Sequence, residues 1–168
     1  MSAFPRTEYL DRLGRVKAAM ADAGIDTLVL ADPASLNYLT GYDGWSFYVH
    51  QYAVVLDDRE EPLWVGRGMD APGARLTSFL AEDSIVPYPE SYVDPDARHP
   101  AGFLAAALAR RGRGRGRIGV EGDAWYYTAK SDAELRAGLP DARFLDAGRL
   151  VAWVRIVKSP AEIAMMRA

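Results

Sequence analysis

No cysteine occurs in the chain. That excludes a disulfide, a thiolate metal site and a cysteine nucleophile. Histidine is nearly as scarce. His50 and His99 are the only two, and they do not make the HExxH spacing of a zinc protease. No apolar run approaches the ~18 residues of a membrane span. The opening MSAFPRTEYLDRL has neither the basic lead-in nor the apolar core of a secretory leader. These absences set the expectation of a cytoplasmic protein with no membrane partner. A net charge of -3 speaks against a general nucleic-acid partner. GxSxG, GxxxxGKS/T and a GxGxxG following a strand are all missing. Asp32 and Asp43 have a spacing some two-metal hydrolases use, but no later His and Glu pair completes such a cluster.

What is present is ordinary in bulk. At 168 residues, 49% hydrophobic and 26% charged, the chain suits one domain with a sizeable core. Thr7 is placed to cap a first helix that ends at Gly24. Ile25 to Leu30 reads as a buried strand, and Ser35 as the cap of a short helix ending at Gly41. Gln51 to Leu56 and Pro62 to Val65, joined by a charged segment, predict an antiparallel hairpin. A helix from Asp70 has Pro72 in its first turn and Leu76, Phe79 and Leu80 on its inner side. Ile85 to Tyr88 is a short strand, and 101–111 a strong helix by propensity. A strand over 117–121, a helix capped by Ser131, a strand over 143–145 and an apolar helical stripe at Leu150, Val154 and Val157 follow. Helices alternating with strands, some antiparallel, predict an α/β sandwich with a mixed central sheet.

One stretch departs from this regularity. Asn37 to Leu56 holds Tyr38, Tyr42, Trp45, Phe47, Tyr48 and Tyr52, with His50 among them and Gly41, Asp43 and Gly44 interrupting. A core strand has no use for the glycines and the histidine, and a surface loop has none for the rings. The pattern fits a lip that leaves the core, faces a ligand and returns as a strand. A delocalised cation can lie against Trp45, Phe47 or Tyr48, and a carboxylate can accept a bond from His50 or a tyrosine hydroxyl. Tyr38 and Tyr52 read better as core. The repeat RGRGRGR at 111–117 reads as a solvated connection between a helix and a strand, with RNA or anion binding as the alternative. At the other end, Ser159, Pro160 and Glu162 form a capping box. A helix begun with this care and ended after about two turns predicts that the natural chain continues. Residues 1–157 would then be one domain and 158–168 the start of a linker helix.

SLNYLTGY, RIGVEGD and the closing LVAWVRIVKSPAEIAMMRA together resemble the N-terminal domain of the creatinase, prolidase and aminopeptidase P family. Within it, GYDGWSFYVHQ at 41–51 is most similar to the ectoine hydrolases and next to the creatinases. The resemblance implies a ribonuclease H-like three-layer sandwich with helices on both faces of the sheet. It implies a larger C-terminal pita-bread domain that carries the catalysis, where peptidase members hold Mn, Co, Zn or Fe on two Asp, one His and two Glu. No catalytic residue and no metal ligand is then expected in this chain. It further implies a homodimer in which this domain closes the partner subunit's substrate pocket. An aromatic and an arginine face the substrate in creatinases, and Tyr48 and His50 fall on those positions. Histidine in place of arginine removes fork-like carboxylate binding and puts creatine as substrate in doubt. Substrate contacts are thus expected from Tyr42, Trp45, Phe47, Tyr48 and His50, towards a small amidine or guanidino solute cleaved at a C–N bond. The alternatives are a metal-dependent Xaa-Pro peptidase as parent, or a stand-alone binding module.

Overall fold

A computed structural model of the chain describes residues 2–46, 48–93 and 98–168. Its elements in order are α1 (Arg6–Asp22), β1 (Thr27–Leu30), α2 (Pro33–Thr40), β2 (Tyr52–Leu56), β3 (Leu63–Arg67), α3 (Ala71–Thr77), β4 (Ile85–Tyr88), α4 (Pro100–Arg110), β5 (Arg117–Val120), α5 (Ala129–Gly138), β6 (Arg143–Asp146), α6 (Leu150–Ile156) and α7 (Pro160–Arg167). The strands form one mixed sheet ordered β4-β3-β2-β1-β5-β6. β2 is antiparallel to both neighbours, β1 and β3. The pairs β1–β5, β3–β4 and β5–β6 are parallel. Within the sheet, β2 therefore runs against all the others.

The strands are apolar on both sides because helices cover both sides. Alternate residues point to opposite faces. Val29, Val54 and Val65 pack with Leu104 and Leu108 of α4 and Leu135 of α5. Leu28, Leu30, Ala53 and Val55 pack with Leu13, Val16 and Met20 of α1, Leu36 and Leu39 of α2, and Val151 of α6. Each such aliphatic side chain contributes about 1.5–3 kcal/mol on burial. The three-layer α/β architecture read from the sequence is the one observed.

Several boundaries move, each for a local reason. Helix α1 starts at Arg6 behind Pro5, with no side-chain cap, so Thr7 lies inside it. Helix α2 starts at Pro33, and Asp32 rather than Ser35 is its cap, accepting from the Ser35 N–H at 2.9 Å. Pro33 at the first helical position favours this earlier start. Leu76 faces outward, 71% exposed. Helix α3 lies on Trp64 with its small residues Ala71 and Ala74, which leaves the larger side chain outside. Thr128, not Ser131, caps α5. Ser131 is buried and accepts a bond from the Tyr52 hydroxyl at 3.3 Å. Val157 follows α6 in extended conformation and is exposed.

The arginines at 111–117 have local partners. Arg113 pairs with Asp57 at 2.8 Å and also with Asp58. Arg115 meets Asp141 at 3.3 Å, and Arg117 meets Asp26 at 2.7 Å. The segment is thus a connection tied to neighbouring turns. The capping box at 159–162 forms with both its bonds. It docks on α1 through Ser159, which donates to Glu8 at 2.8 Å. Arg12, buried, lies between Glu8 at 2.9 Å and Glu162 at 3.4 Å.

Candidate functional site

The direction of β2 decides where the aromatic stretch lies. Leu30, the last residue of β1, pairs with Ala53, the second residue of β2. The chain from Gly41 to Gln51 therefore sits at the sheet edge where the five parallel strands end. Crevices for ligands in open α/β sheets form at that edge.

The stretch is fixed at both ends and supported from behind. Gly41 ends α2 at φ 76, in the left-handed region, where glycine carries no steric cost. Tyr42 turns inward, 4% exposed, against Trp64 at 5.3 Å between ring centroids. Its hydroxyl accepts from the Gln51 amide at 3.0 Å. The backbone then crosses this ring so closely that a Cβ on Gly44 would stand 2.4 Å from the Tyr42 hydroxyl. At the far end, the Tyr88 hydroxyl donates to the His50 carbonyl at 2.7 Å. Tyr52 is wholly buried at the start of β2, and Tyr38 is buried under Arg12.

Between these anchors Trp45 and Tyr48 reach outward. Trp45 is 58% and Tyr48 76% exposed. Phe47 lies outside the described residues. Tyr48 stands near Arg67, whose guanidinium Glu90 engages at 2.8 Å. His50 is half-buried and stacked on Tyr52 at 6.2 Å, with the Tyr126 backbone nearby. Burial lowers its affinity for a proton below the usual histidine value. A cleft of about 260 Å³ opens here, lined by Leu36, Tyr48, His50, Gln51, Trp125 and Tyr126 among others.

Three of these observations were not read from the sequence. The loop from β5 to α5 brings Trp125, 96% exposed, and Tyr126 against the lip, with Tyr126 meeting Trp45 at 6.2 Å. The aromatic run at 125–127 directly after a strand was the available signal. His99 lies 4.7 Å from His50, ring to ring. It caps α4, with Nδ1 accepting from the Ala101 N–H at 3.1 Å. Burial first, then the neighbouring His50, lowers its pKa to about 4. Glu121, at the end of β5, is 5% exposed, and burial raises its pKa to about 7.

The arrangement suits recognition of a flat cation with a polar tail. Exposed ring faces attract delocalised cations, and His50 and the Tyr48 hydroxyl offer donors. Among the described residues no group of three or more His, Asp or Glu converges to hold a metal ion. The His50–His99 pair does not fit one either, since the His99 Nδ1 lone pair is committed to the Ala101 N–H. No helix among the described residues is long and apolar enough to cross a membrane.

Comparison with known proteins fits this geometry. Residues 12–157 match the family model of the Creatinase/Prolidase N-terminal domain. The ectoine hydrolase of Halomonas elongata is 49% identical over 165 residues, which is 98% of this chain and 41% of that protein. The chain thus spans about two-fifths of the length of the curated relatives it matches. Among solved structures, the Xaa-Pro dipeptidase from Bacillus anthracis superposes with a TM-score of 0.73 at 20% identity, covering 95% of this chain and 39% of that one. The N-terminal domain of the cytoplasmic peptidase PepQ from Mycobacterium tuberculosis gives 0.66 at 20% identity, over 86% of this chain and 98% of that one. At such identity these two establish the fold alone.

Proposed function

The chain belongs to the creatinase/prolidase N-terminal domain family, and on that premise we propose that it is the accessory domain of a pita-bread hydrolase. The hydrolase cleaves a C–N bond of a small amidine or guanidino solute, in the manner of ectoine hydrolase before that of creatinase. This domain mediates dimerisation and closes the partner subunit's substrate pocket. The chemistry lies in a further domain, where a divalent metal, if the parent uses one, would be held.

The observation that carries this reading is the lip itself. Trp45 and Tyr48 stand exposed beside His50 at the ligand edge of the sheet, braced by buried Tyr42. Their rings supply a face for a delocalised amidinium. His50 and the tyrosine hydroxyl supply donors for the carboxylate. The 49% identity to ectoine hydrolase supports the substrate class.

The test is an assay of the full-length parent with ectoine, creatine and an Xaa-Pro dipeptide. Turnover of ectoine is expected, and His50→Ala is expected to raise KM or lower kcat about tenfold or more, the worth of one hydrogen bond to a charged group. Clean Xaa-Pro cleavage with neither solute turned over would overturn the reading and favour a peptidase parent. Unchanged kinetics in the His50→Ala protein would reduce His50 to a structural residue.

A further inference from the structure

β1 and β5 are parallel neighbours whose chains leave in opposite directions. β1 continues through α2, on the face of Leu28 and Leu30, to β2 on one side. β5 continues through α5, on the opposite face, to β6 on the other. Such a divergence leaves a crevice between the two strand ends. The crevice here holds about 480 Å³ and is lined by Asp32, Ser35, Glu121, Trp125, Arg149 and Arg155, with others. It is separate from the lip cleft, and Trp125 stands on the rim of both.

Glu121 is the unusual member. Its carboxylate is buried and accepts long bonds from the Asp32 N–H at 3.4 Å and the Ser35 hydroxyl at 3.3 Å, with the Ala31 backbone also close. Among the described residues no cation stands within ion-pairing distance of it, although burying a carboxylate normally calls for one. Arg155 lies across the crevice, 3.7 Å from Asp32, and Arg149 begins α6 with its side chain exposed. Carboxylates and guanidinia are therefore mixed in one space. A lone anion would meet Glu121, and a divalent metal would meet the two arginines. A small molecule carrying both charges satisfies both sides.

We propose that this crevice is a second ligand site, one that takes a small zwitterion with its cationic nitrogen on Glu121 and its carboxylate on Arg149 and Arg155. Trp125 closes over the bound molecule from the rim.

The chain is titrated with lysine, ectoine and 4-aminobutyrate, with butylamine and butyrate as single-charge controls, and backbone amide shifts at Ser35 and Glu121, which line this crevice and not the lip cleft, are followed. At least one zwitterion is expected to saturate at millimolar concentration, and the controls are not. Glu121→Gln keeps the shape of the side chain and is expected to weaken that binding about tenfold, as is Arg149→Ala at its exposed position. His50→Ala is expected to leave it unchanged, which separates this site from the lip. Absence of saturation by all three zwitterions overturns the proposal, as does equal binding of a single-charge control, or loss with His50→Ala alone. Should Glu121→Gln fail to fold, Arg149→Ala decides.

Discussion

At the residue scale, His99 and Glu121 oppose one another. A histidine in the unfolded chain takes its proton near 6.5, whereas burial holds His99 to about 4. Its folded pKa is depressed, so the stability it confers is present above pH 6.5 and is lost as pH falls towards 4. Glu121 is shifted the other way, from 4.5 to about 7, by burial. Its folded pKa is raised, so its contribution is present below pH 4.5 and is lost as pH rises through 7. Each is worth at most a few kcal/mol across its window, less for His99 where water screens the ring, and the windows overlap. Glu121→Gln is expected to expose the acid sensitivity of His99, so that its stability relative to wild type is higher at about pH 7.5 than at about pH 5. His99→Asn keeps an oxygen to cap α4 and is expected to do the reverse. Urea midpoints at the two pH values check both. Little of this was legible in the sequence. Trp45, Tyr48 and His50 could be picked out because rings and glycines rarely mix. The pairing of His50 with His99 could not, because it joins residues 49 positions apart.

Caps show how much of an element is local. The box at Ser159 and Glu162 was legible because all its parts lie within four residues and form the observed bonds. The start of α2 was misread because Asp32 and Ser35 are both good caps, and Pro33 at the first helical position chose between them. The same distinction governs the expected cost of mutation. Gly41→Ala places a Cβ 2.9 Å from the Tyr9 hydroxyl at a φ of 76, and is expected to cost about 1–3 kcal/mol of global stability. Ser159→Ala removes a cap worth about 1 kcal/mol from α7, which buries no residue. It is expected to fray that helix without moving the thermal midpoint. Calorimetry and circular dichroism together separate the two outcomes.

Over the whole molecule, the sheet centre and the last helix are the extremes of order. β1 and β2 are buried at every residue and flanked on both edges. α7 rests on α1 through polar contacts at its first turn. Hydrogen exchange is therefore expected to be slowest at β1 and β2, opening only with global unfolding, and fastest at α7. Equal protection of α7 would show that the Arg12, Glu8 and Glu162 contacts bind it more firmly than its exposure implies. The layered architecture was legible because alternation and turn residues specify it locally. The divergence of β1 and β5 was not, since strand order depends on pairing between residues some 90 positions apart, such as Thr27 with Ile118.

The reversal of β2 has one more consequence. Both anchors of the lip, the left-handed Gly41 at the end of α2 and the buried Tyr52 at the start of β2, belong to the framework of the core and not to the loop. Between them, exposed positions such as Trp45 and Tyr48 can change side chain without shifting the register of a single strand pair, provided Tyr42 and Gln51 keep their buried contacts. The fold thus offers a surface whose outer side chains are exchangeable on a fixed inner brace. Rewriting a few exposed codons there reshapes the surface of the lip while the rest of the domain is inherited intact.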